Sequence, residues 1–133
     1  MAEKTIKDLF QSADYKTEKH IPVIEGPEVI RKGEVVSITV SVGKQIPHPN
    51  TTEHHIRWIE IYFHPQTEKF PYQIARFELA AHGESVQGPN ASTVYTQPMV
   101  LCSFKTEKSG TLIASSYCNI HGLWESSKEL RVE

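Results

Sequence analysis

Cysteine and long apolar runs are both scarce in this chain, and each scarcity excludes a class of protein. Only 2 cysteines occur among the 133 residues, too few for a disulfide scaffold, which indicates a reducing compartment. No apolar run approaches the ~18 residues that a membrane helix needs. The charged residues that follow Met1 do not form a signal peptide. The sequence therefore predicts a soluble, cytoplasmic protein with no membrane partner.

Charge of one sign is not concentrated anywhere along the chain. The 14 Lys and Arg residues nearly balance the 16 Asp and Glu residues, which gives a formal net charge of -2. Because there is no basic stripe, a nucleic-acid partner is not expected. No repeat, linker or low-complexity segment interrupts the chain, so residues 1–133 are predicted to form a single domain.

Alternation of apolar and polar residues predicts a chain made mostly of strands. Val36, Ile38, Val40 and Val42 recur at every second position, as expected of a half-buried strand. Further strands are predicted at residues 56–63, 72–80, 93–105 (interrupted at Pro98), 111–117 and 124–132. About seven short strands separated by turns are typical of an immunoglobulin-like antiparallel β-sandwich, which is an all-β fold.

Only the first residues of the chain favour a helix. Thr5 and Asp8 have the spacing of a capping box, and Ile6, Leu9 and Phe10 follow at helical intervals. One short amphipathic helix is therefore predicted before the first strand.

Histidine and cysteine are grouped in a pattern that predicts a metal site. The histidine loop, residues 47–55, reads Pro-His-Pro-Asn-Thr-Thr-Glu-His-His, and the Cys118 turn, residues 118–122, reads Cys-Asn-Ile-His-Gly. Imidazole suits Zn, Cu, Fe and Ni, and a thiolate adds softness. A structural zinc normally takes four ligands. The candidates exceed that number by one, which favours iron; they are His20, His48, His54, Cys118 and His121.

The other histidines are assigned to structure rather than to the metal. His55 points away from His54 if the chain is already extended there. His64 precedes Pro65 and is expected in a turn. His82 begins a turn-rich connection, residues 82–90, but has no partner motif nearby.

The second cysteine and the two tryptophans are also predicted to be structural. Cys102 lies in an apolar alternating segment and is expected to be a small core residue. A disulfide between Cys102 and Cys118 is rejected because it would remove the only thiolate ligand. Trp58 and Trp124 are expected in the core or in the wall of the site.

Taken together, the motifs Glu-Lys-His-x-Pro, Pro-His-Pro-Asn-Thr-Thr-Glu-His-His and Cys-Asn-x-His-Gly resemble those of the superoxide reductases, in particular the one-iron neelaredoxin class. The resemblance covers nearly the whole chain, including Ala-His-Gly-Glu-Ser-Val-Gln-Gly-Pro-Asn at residues 81–90. The two-iron desulfoferrodoxins carry an additional N-terminal domain with a four-cysteine iron site. This chain has no cysteines for such a site.

The resemblance implies a mononuclear non-haem iron with four equatorial imidazoles and one axial thiolate. It assigns the axial position to Cys118 and the equatorial positions to His20, His48, His54 and His121. It also implies that the Glu18 carboxylate ligates ferric iron and leaves ferrous iron open. Lys19 would then lie beside the open position, where its ammonium attracts superoxide.

The implied activity is the one-electron reduction of superoxide to hydrogen peroxide, as a defence against superoxide. Charge donated by a thiolate ligand is expected to favour release of the peroxide. An external donor must then re-reduce the iron, and the resemblance implies rubredoxin. It also implies a homotetramer.

Two alternatives from other functional classes remain open at this stage. A cupredoxin is also a β-sandwich with Cys and His ligands, but it usually needs an axial Met shortly after them. The only methionines are Met1 and Met99, neither of which is in that position. A non-catalytic module with a structural zinc would leave at least one candidate ligand unused. The metal content of the protein would distinguish iron, copper and zinc.

Overall fold

The computed structural model describes residues 4–133, which form one short helix and eight strands. The elements are α1 (Ile6–Leu9), β1 (Pro22–Glu25), β2 (Val29–Ile30), β3 (Val36–Val42), β4 (Ile56–Pro65), β5 (Tyr72–Glu78), β6 (Met99–Phe104), β7 (Gly110–Cys118) and β8 (Gly122–Val132). Within the described residues, no helix has the length and apolar character needed to cross a membrane.

The strands form two sheets. One has three strands in the order β1-β3-β6, and the other has five strands in the order β2-β8-β7-β4-β5. All neighbouring pairs are antiparallel except the two-residue strand β2, which runs parallel to β8. The predicted all-β sandwich is confirmed. The structure adds β1 and β2, which are too short to show an alternating pattern.

The core lies between the two sheets and is built from the alternating positions of the long strands. Val36 and Val40 of β3 are completely buried, which confirms the face predicted from their spacing. Phe63 of β4 and Phe104 of β6 meet across the two sheets, with ring centroids 5.4 Å apart. Each fully buried aliphatic or aromatic side chain of this kind stabilises the fold by about 1.5–3 kcal/mol.

Strand β4 continues two residues further than predicted, to Pro65. It can do so because Gly110 of β7 lies opposite Pro65, and a Cβ at Gly110 would lie only 2.3 Å from the carbonyl oxygen of His64. The absence of a side chain at Gly110 therefore lets the two strands stay paired to their ends.

Helix α1 has the predicted local chemistry but little packing. The Asp8 carboxylate accepts hydrogen bonds from the backbone N–H and the hydroxyl of Thr5, at 2.9 and 3.1 Å. No residue of the helix is buried. The amphipathic pattern at Ile6 and Leu9 therefore leaves two exposed apolar side chains.

Candidate metal centre

Loops at one end of the sandwich bring the candidate ligands together. His20 immediately precedes the segment leading into β1, and the histidine loop connects β3 to β4. Cys118 is the last residue of β7 and pairs with both Ile56 of β4 and Gly122 of β8. The ladders on both sides of β7 therefore fix the position of the thiol.

The Cys118 turn is tight, and a glycine makes it possible. Gly122 has φ +83°, a left-handed conformation that costs other residues energy. The backbone N–H of His121 points at Cys118 Sγ at 3.4 Å, and the His121 ring Nδ1 is 3.8 Å from the same sulfur. The turn therefore directs the His121 ring toward the Cys118 thiol.

Three imidazoles and the thiol form a compact cluster. One ligand atom from each of His20, His54, Cys118 and His121 lies within 4.8 Å of the others. His20 Nε2 is 3.1 Å from His121 Nδ1. Nitrogen and sulfur atoms at these distances can surround a single ion whose bonds to them are about 2.0–2.3 Å long.

His48 lies against the same cluster. Its Nε2 is 3.6 Å from Cys118 Sγ, and its ring centroid is 4.7 Å from that of His54 and 4.8 Å from that of His20. The four imidazoles and the thiol predicted to hold the metal are thus neighbours. That each of them binds the ion stays a prediction.

One nitrogen in the cluster has no protein partner. Nε2 of His54 is buried and makes no hydrogen bond to any described residue. Leaving a buried polar group unsatisfied costs about 1–3 kcal/mol, so an atom in this state is expected to have another partner. A metal ion bound by the neighbouring nitrogens and sulfur would be that partner, and the site therefore fits a metal.

The outer nitrogens of two imidazoles are already occupied. Nδ1 of His48 donates to the carbonyl oxygen of Pro49 at 2.7 Å, and Nδ1 of His20 donates to the Glu18 carboxylate at 2.5 Å. When Nδ1 carries the proton in a neutral imidazole, Nε2 has a free lone pair for a metal. These contacts therefore fix both the tautomer and the orientation of the two rings.

Burial keeps three of the candidate imidazoles uncharged at neutral pH, those of His20, His48 and His54. Burial lowers the pKa of His48 to about 4, and the nearby charges of His20, His54 and Lys19 contribute in the same direction. Burial likewise lowers the pKa of His20 and of His54. Metal binding requires neutral imidazole, so these rings need not lose a proton near pH 7 to bind an ion.

Glu18 lies near the cluster but is not part of it. Its Oε1 accepts hydrogen bonds from both the ring Nδ1 and the backbone N–H of His20, at 2.5 and 3.1 Å. Burial acts to raise the Glu18 pKa, but the hydrogen bonds from His20 outweigh it, and the pKa is lowered. The carboxylate is thus ionised and lies on the outer side of His20. That it ligates ferric iron stays a prediction.

Lys19 lies at the open side of the cluster. It is half-buried and lines an open pocket together with His20 and the exposed His121. Trp124 closes another side of this pocket, is only 7% exposed and stacks on His20 with ring centroids 4.9 Å apart. The expectation that Trp124 forms part of the site wall agrees with this position. Small anions can therefore approach past a positive charge.

The structure also shows a contact that the sequence did not indicate. The Asn119 side chain accepts from the His55 backbone N–H at 2.9 Å and donates to the Glu53 carbonyl at 2.9 Å. These two backbone groups flank His54. Asn119 therefore ties the Cys118 turn to the histidine loop. The only sequence signal was its place between the Cys and His of the motif.

The residues assigned to structure lie away from the inner cluster. The expectation of a turn at His64 is wrong, because His64 lies within β4, and its Nε2 donates to the carbonyl of Glu68 at 2.8 Å. Cys102 is half-buried on β6, burial raises its pKa, and both cysteines are free thiols. Trp58 stacks on Tyr117 at 5.9 Å, beneath the Arg76 guanidinium.

Comparison with known proteins agrees with the fold and with the site. Residues 12–127 match the Desulfoferrodoxin family. The superoxide reductase of Pyrococcus furiosus is 58% identical over 94% of this chain and 98% of its own length. A crystal structure from Thermotoga maritima superposes with a TM-score of 0.96 at 56% identity, covering 98% of this chain and 99% of that one.

A second solved structure, of a protein in the reduced form, is also similar to this chain over nearly its full length. The superoxide reductase (neelaredoxin) from Archaeoglobus fulgidus in the reduced form has a TM-score of 0.86 and 61% identity, over 92% of this chain and 98% of that one. The match extends over nearly the full length of both chains. This chain therefore belongs to the desulfoferrodoxin family, among its superoxide reductases of the neelaredoxin type.

Proposed function

We propose that the protein reduces superoxide to hydrogen peroxide at a single iron ion bound by His20, His48, His54, His121 and Cys118. The observation that carries the proposal is the buried, unpartnered Nε2 of His54 within a cluster of imidazoles and one thiol. This donor set needs a metal that accepts five or more ligands, including a soft one, which iron does.

Bound iron supplies the redox chemistry: its ferrous form gives one electron, and superoxide takes that electron and two protons to become hydrogen peroxide. The protein contributes by binding the ion, admitting the anion and supplying protons. Cys118 contributes charge, because a thiolate ligand donates electron density and so weakens the hold on an anionic product.

Lys19 is proposed to capture the substrate. Superoxide carries one negative charge, and the half-buried Lys19 lies at the pocket mouth where that charge arrives. A unit positive charge there raises the local concentration of the anion and speeds its encounter with the site. The Lys19 ammonium or a water molecule beside it is the proposed source of protons.

Glu18 is proposed to ligate the oxidised metal and to leave the reduced one. To do so its carboxylate must exchange its hydrogen bonds with His20 for the metal. Because ferric iron carries more positive charge than ferrous iron, a carboxylate favours the ferric form. Removing the side chain with Glu18→Ala should let added azide shift the ferric spectrum more strongly than it does in wild type. An unchanged azide response would contradict this role.

Family membership and geometry argue against the two alternatives. In the described residues, Met99 is half exposed at the start of β6 and precedes Cys118 in the chain, whereas a cupredoxin copper usually takes an axial Met shortly after its Cys and His. A tetrahedral zinc would leave one of the five neighbouring side chains unused. The iron proposal uses all of them.

Assembly, compartment and electron donor are proposed from the family likeness and composition. We propose a single domain over residues 1–133, a homotetramer, a cytoplasmic location and a rubredoxin-like electron donor. Sedimentation equilibrium tests the tetramer. Stopped-flow oxidation of a reduced rubredoxin by the ferric protein tests the donor, and a rate no faster than with an unrelated iron–sulfur protein would contradict it.

The activity is tested by measuring metal and products together. Protein purified without added metal should contain about one iron per chain, and the oxidised form should show a thiolate-to-ferric absorption band that disappears on reduction. With a reductant supplied, superoxide loss should produce peroxide without dioxygen. Stoichiometric zinc, a colourless ferric protein or substantial dioxygen evolution would each overturn the proposal.

A further inference from the structure

The histidine loop is held from outside the metal cluster by a second pair of histidines. His55 and His82 are 7% and 6% exposed, and their rings stack with centroids 3.6 Å apart and planes inclined by only 6°. His82 does not come from the loop itself. It begins the connection at residues 82–90, far away in the sequence.

Both nitrogens of the His82 ring face acceptor oxygens, and a neutral imidazole has a single N–H to give. The amide oxygen of Asn50 lies 2.9 Å from Nδ1, and the Asn50 amide nitrogen is already directed at the carbonyl of Thr96, so the proton is assigned to Nδ1, which donates to Asn50. Nε2 lies against the carbonyl oxygen of Leu79, just after the end of β5. His82 therefore bonds the middle of the histidine loop from beside the end of β5.

Further bonds hold the histidine loop from residues 82–96. The Asn50 amide donates to the carbonyl of Thr96, and the hydroxyl of Thr52 donates to the carbonyl of His82 at 3.0 Å. The Thr52 backbone N–H donates to the side chain of Asn90 at 2.8 Å. The histidine loop is thus held through three of its residues, Asn50, Thr52 and His55.

This anchoring replaces the support of a sheet. Residues 47–55 belong to no strand, so no ladder fixes the distance between the rings of His48 and His54. Buried polar groups that are fully bonded give a segment one defined conformation. Partners behind metal ligands commonly change metal affinity by 10- to 100-fold when they are removed.

We infer that His82 is a positioning residue, which holds the histidine loop through Asn50 so that His48 and His54 keep the spacing that binds the metal. The inference rests on the proposed metal site and extends it to a residue that touches no candidate ligand atom. It predicts that His82 affects how long the metal stays bound more than it affects the stability of the sandwich.

The test compares His82→Phe with His64→Phe. Phenylalanine keeps a ring that can stack on His55 but removes both nitrogens. His64 is a matched control, because its ring nitrogen also donates to an oxygen, but that oxygen is the carbonyl of Glu68 and not a group of the histidine loop. Two properties are measured: the rate at which ferrous protein loses iron to excess chelator, and the urea midpoint of the metal-free protein.

His82→Phe should speed iron loss about tenfold and shift the ferric absorption band. His64→Phe should change the rate of iron loss by less than about twofold and should leave the band where it is in wild type. The double variant His82→Phe with Asn50→Ala should lose iron at most about twofold faster than the faster of the two single variants, because both changes break one connection. Additive effects would contradict action through Asn50.

A second variant keeps the test valid if His82→Phe fails to fold. His82→Gln removes the ring but keeps an amide that can reach one of the two oxygens, so it should lose iron at a rate between those of wild type and His82→Phe. Iron loss equal to that of wild type in every His82 variant that folds would overturn the inference. If wild type itself held no metal, the proposed function would fail instead.

Discussion

Gly43 lies directly behind a candidate metal ligand, and replacing it tests whether the position of His48 matters. Gly43 follows β3 and has φ +84°, and a Cβ built on it would lie 2.5 Å from the backbone nitrogen of His48. Real Cβ atoms essentially never approach a backbone atom that closely. Gly43→Ala must therefore displace His48 or the end of β3.

Gly33 provides the control for the backbone conformation alone. Its φ is +88°, and no atom lies within 4 Å of a Cβ built there. Both substitutions to alanine carry the left-handed penalty of about 1–2 kcal/mol. Only Gly43→Ala adds overpacking, which typically costs about 1–3 kcal/mol. The free energy of unfolding should thus fall by about 1–2 kcal/mol for Gly33→Ala and about 2–5 kcal/mol for Gly43→Ala.

The assay is urea unfolding of the metal-free and the iron-loaded protein, together with the ferric absorption spectrum. Gly43→Ala should shift the ferric band and should gain less stability from iron than wild type does, because a displaced His48 binds the ion less well. Gly33→Ala should keep the wild-type band and the wild-type gain. Equal destabilisation by the two variants, with both spectra unchanged, would refute the reasoning.

Two further predictions concern the thiol and the cation. Cys118→Ser should keep the fold but lose the visible absorption band and nearly all activity, because a hydroxyl is a poor ligand. Cys102→Ser should keep the wild-type absorption spectrum. If the two variants showed each other's phenotypes, the wrong cysteine would have been assigned as the ligand. Lys19→Ala should slow capture of superoxide by the ferrous protein roughly tenfold, because it removes one unit of positive charge that attracts the anion. The slowing should be smaller at high salt, because dissolved ions screen that charge. Equal pulse-radiolysis rates for wild type and Lys19→Ala at low salt would contradict the steering role.

Local pattern was sufficient to predict the parts of this fold that repeat with a fixed period. The alternation at Val36 and Val40 gives the correct buried face because successive side chains of a strand point to opposite sides. Strand β2 was not predicted, since two residues carry no period and its pairing depends on β8, about a hundred residues later in the chain. Its parallel direction follows from the chain path and not from its own sequence.

Residue type alone was enough to predict which side chains form the metal cluster, but it did not predict the contacts around that cluster. His and Cys are the common soft ligands, so their grouping in the Cys118 turn and the histidine loop predicted the cluster at His54 and Cys118. The stacking of His55 on His82 joins segments with no shared motif, and only the folded chain brings them together. The position of Glu18 on His20 is likewise a matter of side-chain conformation.

The two ligand segments are held by different means, and this difference determines where substitutions should matter. Cys118 ends a strand that is paired on both sides, so the ladders of β4 and β8 fix its sulfur. The histidine loop has no such ladder and depends on contacts from Gly43, Asn119 and His82. A ladder loses little when one side chain changes, because its bonds are made by the backbone. Residues that never touch the metal should therefore affect the histidine loop more than they affect the thiolate.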